Sequence, residues 1–115
     1  MPELPEVEVL VRHLRPLVCG RTIRAVAVRR ARVLAPTSPG QLQRTLRGAT
    51  FTGLSRRGKY LVFELRQPGR RAPLILVGHL GMTGRMYLSL RRAPLPKHAA
   101  VVLDLGRERF VYEDA

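Results

Sequence analysis

The sequence predicts a mainly β domain, an antiparallel β-sandwich or flattened barrel flanked by an N-terminal helix and a second short helix. Three observations predict it. Residues 4–18 carry apolar side chains at helical spacing. From Gly20 onward the period drops to two, and short apolar stretches recur between turn signals. The length, 115 residues, suits one domain with one modest core.

The elements follow in order. Val7, Leu10, Val11, Leu14, Leu17 and Val18 share one face of a helix over 4–18. Pro5 fits its first turn, where a missing N–H costs little. Pro16 conflicts with the last turn, and Gly20 can end the helix. Ile23, Ala25, Ala27 and, less regularly, Val33 suggest one long strand, broken by Pro36-Thr37-Ser38-Pro39-Gly40. Leu42 and Leu46 mark a short helix over 41–47. Further strands are expected at 49–56, 60–66, 73–79, 84–90, 99–105 and 108–113, the first weakened by Gly53. Gln67-Pro68-Gly69 and Leu105-Gly106 read as turns. No internal repeat or low-complexity tract is visible, and helices on antiparallel strands form a recurrent two-layer architecture.

Lys and Arg total 21 against 8 acidic residues, a net charge of +13. A polyanion, foremost nucleic acid, is the expected partner. Only Lys59 and Lys97 are lysines, so a general preference for arginine codons is an alternative source of the charge. Cys19 stands alone and excludes an internal disulfide or a cysteine-based zinc site; it is expected as a small core residue. No basic segment leads into an apolar signal region, and no apolar run approaches the ~20 residues that span a bilayer. A soluble intracellular protein without membrane contact is the default expectation.

The first eight residues, Met-Pro-Glu-Leu-Pro-Glu-Val-Glu, carry the chemistry. Removal of Met1 leaves Pro2 with a free secondary amine. A terminal amine titrates near ~8 and a lysine near ~10.4, so at neutral pH the terminal amine has roughly a hundredfold more of the neutral nucleophile. A secondary amine condenses with a sugar aldehyde to a permanently charged iminium. That cation acidifies the adjacent C–H and allows phosphate to be eliminated. Glu3 and Glu6 lie three residues apart, on roughly one side of the helix start, as an acid and a base for moving protons at the sugar. The competing reading is that acidic residues favour helix N-termini electrostatically, and Glu8 is assigned to that role.

Pro2-Glu3-Leu4-Pro5-Glu6-Val7-Glu8 resembles the start of formamidopyrimidine-DNA glycosylases. Arg56-Arg57-Gly58-Lys59-Tyr60-Leu61, His79-Leu80-Gly81-Met82-Thr83-Gly84, Pro96-Lys97-His98 and Tyr112-Glu113-Asp114 are similar to further landmarks in the family's order and spacing. The related endonuclease VIII branch typically has Gly in place of Leu4. The resemblance covers essentially the whole chain. It implies Pro2 as the nucleophile at the sugar C1′, Glu3 as the general acid and Glu6 as the second carboxylate. It implies Lys59 near the lesion's phosphate and sugar, with a role in base release and elimination. Met82 is implied as the side chain filling the gap left by an extruded nucleotide, and His98 as a DNA-backbone contact. Outside the family, Met82 also reads as a core residue, Lys59 as a solvated turn lysine, and His79 and His98 as structural histidines; His13 is assigned nothing.

Such an enzyme must take its target out of the stack, and an unbranched methionine is long enough to plug the vacancy. Ala99 and Ala100 follow His98 where the family usually carries polar or charged residues. The expectation is an N-terminal catalytic domain, residues 1–115, of a bifunctional glycosylase/AP lyase. Its double-stranded DNA partner would contain oxidised purines or abasic sites. The setting would be the bacterial cytoplasm, associated with the nucleoid through DNA, and the protein monomeric. A helix–two-turn–helix element and a zinc finger would lie in a further C-terminal domain, so no metal or other cofactor is expected here. The chain alone is expected to bind DNA weakly and cleave it poorly. A non-enzymatic basic nucleic-acid-binding module is the alternative, which would not need acids beside its N-terminus.

Overall fold

The computed structural model describes residues 3–114, with side chains from Pro5 onward. The chain divides into two compact units, residues 1–22 with 49–79 and residues 23–48 with 80–115.

The first unit joins α1 (Glu3–Val18) to a three-stranded antiparallel sheet of β2 (Thr50–Arg57), β3 (Tyr60–Arg66) and β4 (Leu74–His79), in that order. Val7, Val11, Leu14 and Val18 recur every three or four residues and are all buried, which gives α1 its inward stripe. The helix packs on β2 and β3. Phe51 and Phe63 meet edge to face there, ring centroids 5.8 Å apart. Pro16 lies inside the helix, which continues to Val18. Burial of Leu14 and Val18 on either side of it outweighs the lost hydrogen bond. Gly20 then turns the chain out, its N–H donating to the Phe51 carbonyl at 2.8 Å. Leu61, Phe63 and Leu65 alternate inward along β3, as the period of two requires. The register of β2 shifts between Phe51 and Gly53, so Gly53 marks a bulge within the strand.

The second unit is a four-stranded antiparallel sheet in the order β1-β6-β7-β5. Its strands are β1 (Ala25–Val28), β5 (Arg85–Leu90), β6 (Ala99–Asp104) and β7 (Glu108–Glu113). The apolar run Ala99–Leu103 is buried throughout, as suits a central strand. α2 (Pro39–Leu46) contacts β1; Ser38 caps it by accepting the Gln41 N–H, and Pro39 opens it. The mainly β class with two antiparallel sheets and two helices is therefore the one the sequence predicts.

One element differs. The long strand expected between Gly20 and Val33 is only four residues, β1, followed by a 3-10 turn at Ala31–Leu34. Pairing ends because the N–H groups of Arg29 and Arg30 both donate to the Ala100 carbonyl, which stops the ladder from advancing. Cys19 is partly exposed, not a core residue.

Candidate functional site

The expected nucleophile, Pro2, lies outside the described residues. Glu3 belongs to α1, and its side chain likewise lies outside them. Glu6 is exposed on α1 and lines a shallow groove of about 500 Å³ with Pro5, Val9, Leu10 and His13. Lys59 is exposed at the tip of the β2–β3 hairpin. Arg57 pairs with Tyr60, so the connection is two residues, Gly58-Lys59. Gly58 has φ +60, and no described residue other than glycine has positive φ. Positive φ at the first turn position only is the signature of a type II′ turn, which requires glycine there. The sequence Gly-Lys thus sets Lys59 at the apex.

An ion pair links this hairpin to the helix. Arg56 Nε donates to Glu8 Oε1 at 2.8 Å, and a second Arg56 nitrogen donates to the Gly58 carbonyl at 3.0 Å. Arg12, one turn on, donates to Glu8 Oε2 at 2.9 Å. Hydrogen bonds from Arg56 and then Arg12 hold the Glu8 carboxyl below the usual carboxylate range. Glu8 therefore does more than complement a helix terminus. It fastens the segment two residues beyond Glu6 to the turn that carries Lys59. The stretch that opens the chain and the Arg-Arg-Gly-Lys-Tyr stretch are brought together in this unit. Tyr60 in turn faces His79 across β3 and β4, with ring centroids 5.1 Å apart.

In the second unit Met82 is 96% exposed. Gly84 holds its loop tight: its N–H donates to the Leu80 carbonyl at 2.8 Å, and a Cβ on Gly84 would lie 2.3 Å from that oxygen. Met82 is not a core residue. His98 is partly buried and precedes β6. Arg30 joins it to the end of β7, donating to His98 Nδ1 at 3.0 Å and to the Asp114 carbonyl at 2.5 Å. The Pro-Lys-His and Tyr-Glu-Asp stretches are thereby also brought together. Tyr87 donates to the Glu113 carboxylate, and burial followed by that bond pushes its phenol up to about 12. Burial likewise raises the Tyr112 phenol, helped by the Asp114 charge.

Among the described residues no cluster of three His, Cys, Asp or Glu could hold a metal ion. No helix among them is long and apolar enough to cross a membrane.

The family model described as the formamidopyrimidine-DNA glycosylase N-terminal domain matches residues 1–115. The chain belongs to this family. It is 45% identical over 105 residues to the formamidopyrimidine-DNA glycosylase of Symbiobacterium thermophilum, covering 91% of this chain and 32% of that protein. It is 38% identical over 114 residues to the one from Lactococcus lactis, covering 99% and 40%. A solved structure of Lactococcus lactis Fpg (MutM) with DNA containing an N7-benzyl-Fapy-dG superposes with a TM-score of 0.87 at 34% identity, covering 96% of this chain and 39% of that one. A complex of the same glycosylase with DNA containing an abasic site gives 0.87 at 34% identity, covering 97% and 40%. The chain thus spans two fifths or less of the length of these relatives.

Several members of the candidate site are invisible to sequence spacing. Arg30 lies 68 residues from His98 and carries no local signal. Arg56 and Glu8 both sit inside the resembling stretches, and their opposite charges are the one clue that the sequence offers. The Tyr60–His79 pair follows only once the strand register is known.

Proposed function

We propose that residues 1–115 form the catalytic domain of a base-excision glycosylase/AP lyase acting on oxidised purines, 8-oxoguanine and formamidopyrimidines among them. The observation that carries the reading is the Glu8–Arg56–Gly58 connection, which ties the segment following Pro2 to the hairpin of Lys59 in a member of this family. The relatives' complexes with lesion-bearing and abasic DNA support the choice of substrate.

In this mechanism the Pro2 lone pair attacks C1′ of the extruded nucleotide, the C1′–base bond breaks, and the base leaves with the proton that the Pro2 nitrogen gives up. Glu3 donates a proton to the sugar ring oxygen as the C1′–O bond opens, leaving an iminium between Pro2 and C1′. Glu6 is the second carboxylate for proton movement in that pocket. The iminium acidifies C2′–H; loss of that proton expels the 3′ phosphate and cuts the strand. Lys59 stabilises the departing phosphate's charge and assists base release. Met82 fills the vacated stack and His98 holds the backbone.

The described residues do not fit a zinc site, and any zinc would be held by sequence beyond residues 1–115. The helical element and zinc finger expected there would complete the DNA-binding surface, so residues 1–115 alone bind weakly and nick poorly. The charge of +13 favours one competing reading, a basic module that binds nucleic acid without chemistry. A nicking assay with the full-length protein separates the two. The enzyme releases 8-oxoguanine and cuts the strand, and its Pro2→Gly variant, left with a primary terminal amine, is strongly impaired in both. Equal binding to damaged and undamaged duplex, with no cutting, would establish the module.

A further inference from the structure

His98 is followed by Ala99 and Ala100, both buried and apolar, so neither neighbour can orient its ring. Arg30, which follows β1, does so. Its backbone is fixed by the bond from its N–H to the Ala100 carbonyl at 3.2 Å, beside that of Arg29 at 2.7 Å. Its guanidinium spans His98 Nδ1 and the Asp114 carbonyl, while the Asp114 N–H donates to the His98 carbonyl at 3.0 Å. The three residues form a closed arrangement in which side chain and backbone of His98 are both held.

The chemistry of the Arg30 contact selects one form of the ring. A guanidinium is always charged, has five N–H donors and accepts nothing. Facing it, Nδ1 must be the acceptor and cannot carry hydrogen. The imidazole is then neutral, with its hydrogen on Nε2.

We propose that Arg30 is a positioning residue for DNA binding. It fixes His98 as the Nε2–H tautomer and so presents a neutral N–H donor to a phosphate oxygen of the DNA backbone. The phosphate as ligand rests on the function proposed above; the tautomer does not. A neutral donor positions the backbone without releasing a counterion, so its contribution persists at salt concentrations that screen the arginines. Arg30, occupied with His98 and Asp114, acts through the histidine and is not itself the phosphate contact.

Long-range proton–nitrogen NMR of the histidine rings in the full chain tests the first step without DNA. The wild-type His98 ring is expected to carry hydrogen on Nε2 alone; hydrogen on Nδ1 overturns the proposal, whether or not any variant folds. Arg30→Met is expected to populate both tautomers. Titration with a duplex carrying a stable abasic analogue tests the second step. Wild-type His98 resonances are expected to shift, and Arg30→Met to bind about three- to tenfold more weakly, because the competent tautomer is depleted and the ring is less well held. The slope of affinity against salt is expected to be unchanged. A slope smaller by about one makes Arg30 a direct phosphate ligand and overturns its positioning role. A wild-type ring with the Nε2–H tautomer and no response to the duplex leaves the Arg30–His98 arrangement standing and overturns the DNA reading.

Discussion

Glu8 and Arg56 meet at 2.8 Å although 48 residues separate them, and the bond joins the early part of α1 to the hairpin whose apex is Lys59. Arg56 also holds the Gly58 carbonyl, so one guanidinium restrains the turn and its distance from the helix. A site that needs an N-terminal amine and a hairpin lysine around one sugar requires such a restraint.

Arg56→Ala is expected to lower the rate of strand cleavage about ten- to a hundredfold in the full-length enzyme, since small misplacements of reacting groups have costs of that order. KM should change little, because Arg56 is engaged with Glu8 and Gly58. A lost melting transition in place of a rate defect would show that the pair serves stability alone.

The same pair has a pH signature. The Glu8 carboxyl lies below its ordinary value of 4.5 in the folded state, through Arg56 first and Arg12 second. Its contribution is complete above about pH 4.5 and is lost as pH falls through the lower folded value. The melting-temperature difference between wild type and Glu8→Gln should therefore be constant near neutrality and vanish in acid. A difference that grows on acidification contradicts the assignment.

Gly84→Ala should disrupt the Met82 loop, because the added Cβ would press on the Leu80 backbone 2.3 Å away. A destabilisation of about 1–3 kcal/mol is expected. Met82→Ala, at an exposed position, should leave the melting temperature unchanged and weaken binding to lesion-bearing duplex. Denaturation and binding curves for the two variants distinguish a loop that must be tight from a side chain that must be long.

Tyr87 offers an alkaline test of the second unit. Its phenol, partly buried and bonded to Glu113, is pushed up to about 12. The stability this represents is present below pH 10 and is lost as pH rises towards 12. Spectrophotometric titration should show a tyrosine ionising near 12, absent in Tyr87→Phe. Complete ionisation of all tyrosines near 10 would contradict the bond.

Much of this architecture is legible in the amino-acid sequence. The Val7, Val11, Leu14 and Val18 stripe specifies α1, and Gly58-Lys59 specifies the hairpin because only glycine suits its first turn position. Pro16 misleads, since burial on both sides of it overrides local propensity. The strand after Gly20 misleads for the opposite reason. Its alternation continues past Val28, while Ala100 captures two successive N–H groups and ends the pairing. Arg30 remains hidden because its partner is distant in sequence and arginines are abundant throughout the chain. Candidate residues within one stretch can be read from spacing; the bonds that orient them cannot.

The most direct measurement is borohydride reduction of the full-length protein on abasic DNA, followed by mapping of the cross-linked residue. One covalent adduct is expected, at the imino nitrogen of Pro2 after loss of Met1, strongly diminished by Pro2→Gly and retained in Lys59→Ala. An adduct at Lys59, or trapping that survives Pro2→Gly undiminished, would contradict it.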